Sequence, residues 1–93
     1  PSNSAVRFDV DTDANTLTLS AYSSDQDQAS ETIETAVEGS NCMVGFNYSY
    51  IFGCLNALGH EKEITLELTE GRPGVFKSYD KINYIYLVMP VRV

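Results

Sequence analysis

The chain has 93 residues, and its 13 Asp and Glu outnumber its 6 Lys and Arg, so the formal charge is −7 at pH 7. This length allows one domain with one modest core. The acidic charge excludes a protein that grips a phosphate backbone by bulk charge, because such binding depends on Lys and Arg. A hydrophobic fraction of 43% excludes a disordered chain, and no apolar run approaches the roughly 18–20 residues that a membrane span needs.

The first third of the chain alternates between apolar and polar residues, which predicts strands. We expect a first strand at residues 6–10, a turn at 11–15, and a second strand at 16–21 that completes a hairpin. The polar stretch at 23–28 predicts an exposed loop. Alternation at 32–38 predicts a third strand.

The period then changes from that of a strand to that of a helix. An apolar stripe with helical spacing is formed by Ile51, Cys54, Leu55 and Leu58. Tyr48 and Phe52 form an i, i+4 pair on its flank. Asn47 or Ser49 can cap the start, and Gly59 stands where a left-handed C-terminal cap is expected. The pattern predicts one helix of about three turns.

Strands are predicted on both sides of this helix, at residues 42–46 before it and at 64–68, 75–79 and 84–89 after it. The last of these is almost wholly apolar and suits a strand that is covered on both faces. Because proline cannot donate a ladder hydrogen bond, we expect residues 90–93 at a sheet edge or outside the sheet. The order βββ-βαβββ is typical of the α+β class, with a mostly antiparallel sheet covered by one helix.

Reactive side chains leave alternatives open. Cys42 and Cys54 are expected to be free buried thiols in a reducing compartment, but a single Cys42–Cys54 disulfide would fit a small secreted β-rich binding domain. His60 lies in a charged turn and is expected to be solvated, and no metal or cofactor motif is present. The many surface carboxylates permit a small enzyme as a third alternative, although no pair of them stands out.

The chain ends on an apolar segment, residues 87–93, in which Arg92 is the one charged residue. This composition is typical of a terminal strand packed in the core. It also fits an exposed apolar lip that would form a peptide-docking groove. The segment is therefore the main candidate for a binding site.

Three motifs resemble the bacterial DNA polymerase III beta subunit family, the sliding clamps. Tyr-Leu-Val-Met-Pro-Val-Arg-Val at residues 86–93 is similar to the family's C-terminal signature, an aromatic and two aliphatic residues followed by Met-Pro-apolar-Arg-Leu. Val-Gly-Phe-Asn-Tyr-Ser-Tyr-Ile at 44–51, followed by Leu-Asn-Ala-Leu at 55–58, resembles the family's strand-into-helix segment. The hairpin that joins residues 6–8 to 17–19 resembles the one that precedes that segment.

The resemblance implies a DNA-clamp fold in which residues 1–93 are a single partial domain. Subunits of the family have three similar domains, each a duplicated motif of a strand, a helix and three strands. This chain would be most of the third domain without its first strand and first helix. Because the chain starts at Pro1 rather than Met, we expect that an upstream part was removed.

The resemblance also implies a function. Two subunits of the family close head to tail into a homodimeric ring around duplex DNA. The ring tethers DNA polymerase III, clamp-loader subunits and other replication and repair proteins in the cytoplasm. This role involves no catalysis, no cofactor, no metal and no membrane. Since residues 48–58 contain no Lys or Arg, the DNA would be held by encirclement rather than by the charge of this segment.

Clients of the family insert a short peptide of Gln-Leu-x-Leu-Phe type into a pocket between the second and third domains. The resemblance implies a third-domain wall made of Asn47, Tyr50, Leu87, Val88, Met89, Pro90, Val91 and Arg92. The ring of Tyr50 could cover the pocket, Asn47 could hydrogen-bond the peptide backbone, and Met89 adapts to varied side chains. The role of the loop at residues 72–74 stays open.

Overall fold

The structure, a computed structural model, describes residues 4–22, 28–79 and 85–92. In chain order the described elements are β1 (Ala5–Asp11), β2 (Thr16–Tyr22), β3 (Gln28–Glu34), β4 (Cys42–Asn47), α1 (Tyr48–Ala57), β5 (Ile64–Glu67), β6 (Gly74–Ser78), β7 (Ile85–Val88) and β8 (Pro90–Val91). The predicted turn at 80–83 lies outside the described residues, as does the predicted loop at 23–28 except for Gln28.

The larger sheet has five strands in the order β3-β2-β1-β4-β8, and its described pairings are all antiparallel. Phe8 of β1 lies opposite Leu19 of β2 and Val44 of β4. This register places the apolar faces that the alternation predicts on one side of the sheet. The predicted hairpin between the first two strands is confirmed.

The third strand lies nearer to the start of the chain than the sequence predicts. β3 ends at Glu34, opposite Thr16, which is the first residue of β2. The predicted strand at 32–38 is therefore wrong beyond Glu34, because β2 offers no further backbone groups for pairing. The N–H of Thr35 instead donates to the main-chain oxygen of Asn15 at 3.0 Å, where the chain leaves the sheet beside the hairpin turn.

The smaller sheet has three antiparallel strands in the order β5-β6-β7. The prediction that its last apolar strand is covered on both faces is wrong. Val88 of β7 is buried, whereas Ile85 and Leu87 are 52% and 71% exposed. Within the described ranges the core packs against one face of this sheet, and the opposite face stays open.

The predicted α+β class with antiparallel strands and one helix is confirmed, but the strands divide between two sheets. The chain passes from one sheet to the other at Met89. Val88 ends β7 in the smaller sheet, and Pro90 begins β8, opposite Phe46 at the edge of the larger sheet. The predicted edge position of the C-terminal residues is confirmed for β8, since proline has no N–H to donate.

Three phenylalanine rings join the two sheets. Phe8 of β1, Phe46 of β4 and Phe76 of β6 are almost fully buried. They meet edge to face, with ring centroids between 5.3 and 5.9 Å apart. Gly74 allows this approach, because a Cβ on it would lie 2.6 Å from Cζ of Phe46. The two sheets therefore share one core.

The helix begins where the sequence predicts. The side-chain oxygen of Asn47 accepts a hydrogen bond from the N–H of Ser49 at 2.8 Å, which caps the first turn. Ile51 and Cys54 of the predicted apolar stripe are buried against the core. Leu55, predicted in the same stripe, is 38% exposed. The buried face of α1 is therefore narrower than the pattern suggests.

The helix ends without the predicted left-handed glycine. Among the described glycines, Gly39 and Gly71 are the ones with positive φ. Leu58 leaves the helix at φ −92° and ψ 3°, and its N–H donates to the main-chain oxygen of Cys54 at 3.0 Å. The prediction for Gly59 is wrong, because its φ is not positive and its N–H donates to the main-chain oxygen of Asn56 at 3.3 Å.

Candidate functional site

The first turns of α1 and the strand β7 border a cavity of about 460 Å³. Its lining residues are Ser49, Tyr50, Gly53, Cys54, Tyr86, Leu87, Val88 and Met89. The helix contributes the first half of this set, and β7 with the residue that follows it contributes the second. The volume falls within the range of small-molecule pockets.

The structure brings together half of the residues that the sequence predicts for the site, namely Tyr50, Leu87, Val88 and Met89. The other half lies nearby without lining this cavity: Asn47, Pro90, Val91 and Arg92. Asn47 caps the helix that carries Tyr50, and β8 follows Met89 directly. Both chain segments named by the sequence therefore border this cavity, and the assignment of a binding site to them stays a prediction.

Four lining residues were not among the predicted site residues: Ser49, Gly53, Cys54 and Tyr86. Helical spacing could have found two of them, Gly53 and Cys54, because residues three or four positions after Tyr50 share its helix face. Tyr86 lies on the same side of β7 as Val88, two positions away, as strand alternation requires. The helical period of α1 and the strand period of β7 therefore carried a signal for these residues.

The cavity is bordered by large apolar side chains that remain in contact with solvent. Tyr50, Leu87 and Met89 are 64%, 71% and 65% exposed, while Val88 is buried and anchors the strand. The lining residues carry no formal charge, and their side-chain polar groups are the hydroxyls of Ser49 and the two tyrosines and the Cys54 thiol. A cluster of exposed apolar residues of this kind marks a contact surface.

Both cysteines are free thiols. Burial raises the pKa of Cys54, which lines the cavity. Burial also raises the pKa of Cys42, and the negative charges of Glu70 and Asp9 raise it further. Since a raised pKa keeps a thiol protonated, neither cysteine is activated as a nucleophile. The Cys42–Cys54 disulfide of the secreted alternative is not formed.

Other polar groups serve local structure. Oδ1 of Asp11 accepts hydrogen bonds from the N–H groups of Asp13 and Ala14, at 3.0 and 3.1 Å, and so holds the turn between β1 and β2. The hydroxyl of Ser78 is 2.9 Å from a carboxylate oxygen of Glu61. Over the part of the chain that the structure describes, no group of three or more His, Cys, Asp or Glu could hold a metal ion. No helix in that part is long and apolar enough to cross a membrane.

The cavity between α1 and β7 is apolar and its lining residues carry no formal charge, so it suits an apolar group of a bound molecule. The comparisons with known proteins show the family of the chain. Residues 2–92 match the family described as "DNA polymerase III beta subunit, C-terminal domain". The chain belongs to this family.

Curated relatives and solved structures extend the match. A beta sliding clamp of Synechocystis is 30% identical over 92 residues, and that of Escherichia coli strain K12 is 31% identical over 80 residues. The crystal structure of the DNA polymerase III subunit beta from Pseudomonas aeruginosa has the same fold, with a TM-score of 0.83 at 24% identity over 96% of this chain. The chain spans about a quarter of the length of these proteins, namely 23%, 22% and 24%.

Proposed function

We propose that this chain is part of a ring-shaped sliding clamp, the processivity subunit of a bacterial DNA polymerase. Membership of the beta subunit family supports this role, as do relatives that carry the name beta sliding clamp. In this role the subunit closes as a homodimer around duplex DNA. It tethers DNA polymerase III, clamp-loader subunits and other replication and repair proteins in the cytoplasm, and it performs no chemistry.

The tethering site is the surface around the cavity between α1 and β7. The observation that carries this assignment is the exposure of Tyr50, Leu87 and Met89 around a recess without charged groups. Burial of such side chains against a client peptide gains free energy roughly in proportion to the apolar area removed from water. The proposed wall keeps all predicted residues: Asn47, Tyr50, Leu87, Val88, Met89, Pro90, Val91 and Arg92. A second wall comes from another part of the subunit.

DNA is held by encirclement rather than by contacts from this segment. The exposed side of α1 carries no cation, and the helix has no basic residue in its last turn. With a net charge of −7, the chain has little means of displacing counterions from a phosphate backbone. A closed ring needs no such contacts, because topology prevents dissociation.

A titration of a Gln-Leu-x-Leu-Phe peptide against the intact protein tests the site. We compare the Leu87→Ser variant with an Ile85→Ser control. Both side chains are exposed at alternate positions of β7, but only Leu87 lines the cavity. We expect Leu87→Ser to weaken binding about tenfold or more and Ile85→Ser to leave it unchanged. Equal affinity of both variants and the unmodified protein would contradict the site.

Deletion of residues 89–93 from the intact protein is a second test of the same assignment. We expect the deletion to abolish peptide binding, because it removes Met89 together with β8. Circular dichroism of the deletion variant checks that the remaining fold persists. Unchanged peptide affinity in a folded deletion variant would exclude this surface.

The role as one part of a ring has its own test. We expect the isolated 93-residue chain neither to close a ring nor to be loaded on circular DNA, because ring contacts and the second pocket wall lie in other parts of the subunit. Clamp-loader assays with the intact protein as positive control measure this. Loading of the isolated chain would contradict the proposal.

A further inference from the structure

The glycine at position 53 is an unusual choice for its place in the helix. Gly53 lies in the interior of α1, which runs from Tyr48 to Ala57. Glycine is the poorest helix former after proline, because it loses the most backbone freedom on folding. A helix of ten residues has few turns over which to offset this loss. Glycine at this position therefore lowers the stability of the helix relative to alanine.

Neither backbone conformation nor packing requires glycine at this position. The φ of Gly53 is not in the left-handed region, and a Cβ on this residue would meet no other atom within 4 Å. Gly74 shows the opposite case, since a Cβ there would lie 2.6 Å from Cζ of Phe46. The fold requires glycine at position 74 and would accept alanine at position 53.

The empty space beside Gly53 belongs to the proposed peptide site. Gly53 lines the cavity together with Tyr50, which precedes it on α1, and with Tyr86, Leu87 and Met89 on the opposite side. Any side chain at position 53 would occupy the helix wall of this recess. The recess is bordered mainly by aromatic and aliphatic groups, so its complement is a bulky apolar side chain.

We propose that Gly53 is a specificity-determining residue of this site: its missing side chain leaves a recess in the helix wall that admits one bulky apolar side chain of the bound peptide. The inference rests on the proposed function, since it concerns the same cavity. It assigns to α1 a steric role in selecting the peptide, whereas β7 supplies the exposed apolar surface. The reduced helix propensity of α1 is the consequence of keeping this recess open.

The test uses the intact protein with Gly53→Ala and Gly53→Leu, and Asn56→Ala as control. Asn56 is exposed on the same helix and does not line the cavity. Thermal unfolding and titration with a Gln-Leu-x-Leu-Phe peptide are measured for each variant. We expect both alanine variants to raise the Tm, Gly53→Ala to weaken binding about tenfold, and Gly53→Leu to abolish it. Asn56→Ala should bind like the unmodified protein.

A set of peptides separates a steric role from a general disturbance of the helix. In each peptide one apolar residue is shortened to alanine. We expect the affinity difference between Gly53→Ala and the unmodified protein to disappear for one of these peptides, because the recess is then left empty. A Gly53→Ala variant that is more stable and binds every peptide as the unmodified protein does would overturn the inference. Failure of the unmodified protein to bind any of the peptides would instead reject the proposed function.

Discussion

The chain contains two three-stranded meanders. Within the described residues, a further strand pairs along the β1 edge of the first meander, but none pairs along the β5 edge of the second. The first, β1-β2-β3, has strands of seven residues, and β4 pairs along the free side of β1. The second, β5-β6-β7, has strands of four or five residues, and β5 is an outer strand within the described part of the chain. The strand that completes the first meander is the one that leads into α1.

If the chain carries the duplicated motif that the family resemblance implies, this difference indicates the edge at which the motif would continue. By analogy with β4 beside β1, a strand that leads into a helix would pair beside β5. The helix α1 also has a partly open side, where Tyr48 and Phe52 stack at a centroid distance of 6.0 Å and both remain exposed. That the chain lacks the first strand and first helix of this motif stays a prediction. The two meanders nevertheless share one core, and mutations in that core test whether the two meanders unfold together.

The largest effect is expected from the phenylalanine cluster. We expect Phe8→Ala in the first meander and Phe76→Ala in the second to lower the free energy of unfolding by about 3–5 kcal/mol each, because each removes a buried ring and leaves a cavity. Urea denaturation of the intact protein, followed by hydrogen exchange in both sheets, measures this. If Phe76→Ala loosened only the second meander, the two sheets would not share one cooperative core.

A smaller effect is expected from the glycine that lets the sheets meet. Gly74→Ala should lower the free energy of unfolding by about 1–3 kcal/mol, because its Cβ would overlap the ring of Phe46. Gly53→Ala is the matched control and should stabilise the protein by about 0.5–1 kcal/mol, since its Cβ meets open space. We expect the denaturation midpoint to shift downward in Gly74→Ala and upward in Gly53→Ala. A neutral Gly74→Ala would show that the cluster relaxes at this point.

Each meander also has an ion pair at its surface, and the strengths of the two pairs can be compared. Lys77 of β6 and Glu67 of β5 are 2.7 Å apart, and Arg7 and Asp9 of β1 are 3.0 Å apart. Both pairs are partly exposed, so a double-mutant cycle on each should give a coupling energy of about 0–1 kcal/mol. A coupling energy well above this range for the Lys77 pair would mean that charge, and not the core, holds β5 to β6.

The smallest effect is expected from the thiols at high pH. Burial raises the pKa of Cys42 and of Cys54 in the folded state, so the folded protein holds these protons more tightly than the unfolded chain. Their contribution to stability is therefore complete below the ordinary thiol pKa of about 8.5 and is lost as pH rises through the raised values. Denaturation between pH 7 and 10 should show a slight decline that is reduced in Cys42→Ala and Cys54→Ala.

Thiol counting gives an independent check on the same residues. Two free thiols are expected under denaturing conditions, with slow alkylation at neutral pH in the folded protein, because the protonated thiol is a poor nucleophile. An absence of free thiols would restore the secreted, disulfide-bonded alternative.

Much of the fold follows from local patterns. Alternation predicted β1 and β2 and their hairpin, and the change to helical spacing predicted α1 with its cap at Asn47. The wrong bounds of the third strand have a cause that is not local. β3 ends at Glu34 because its partner strand begins at Thr16, and no property of residues 32–38 themselves records where the partner begins.

The residues that line the cavity could likewise be predicted only in part. The sequence indicated both segments that border the cavity, and the family resemblance supplied the reason for choosing them. It did not indicate Gly53 or Tyr86 as lining residues, since a cavity is defined by the relative position of α1 and β7. Helical and strand periods say which residues share a face, but they do not say which face is left uncovered.

The sequence by itself determined the order of the elements, the apolar positions within most of them and membership of the clamp family. The tertiary structure decided that the strands form two sheets, that Leu87 is exposed while Val88 is buried, and that a Cβ would overlap the Phe46 ring at Gly74 but meet open space at Gly53. The physical reason is the range of the interactions. Local propensity and periodicity act over a few residues, whereas exposure and steric contact depend on residues that are distant in the chain and meet only in the fold.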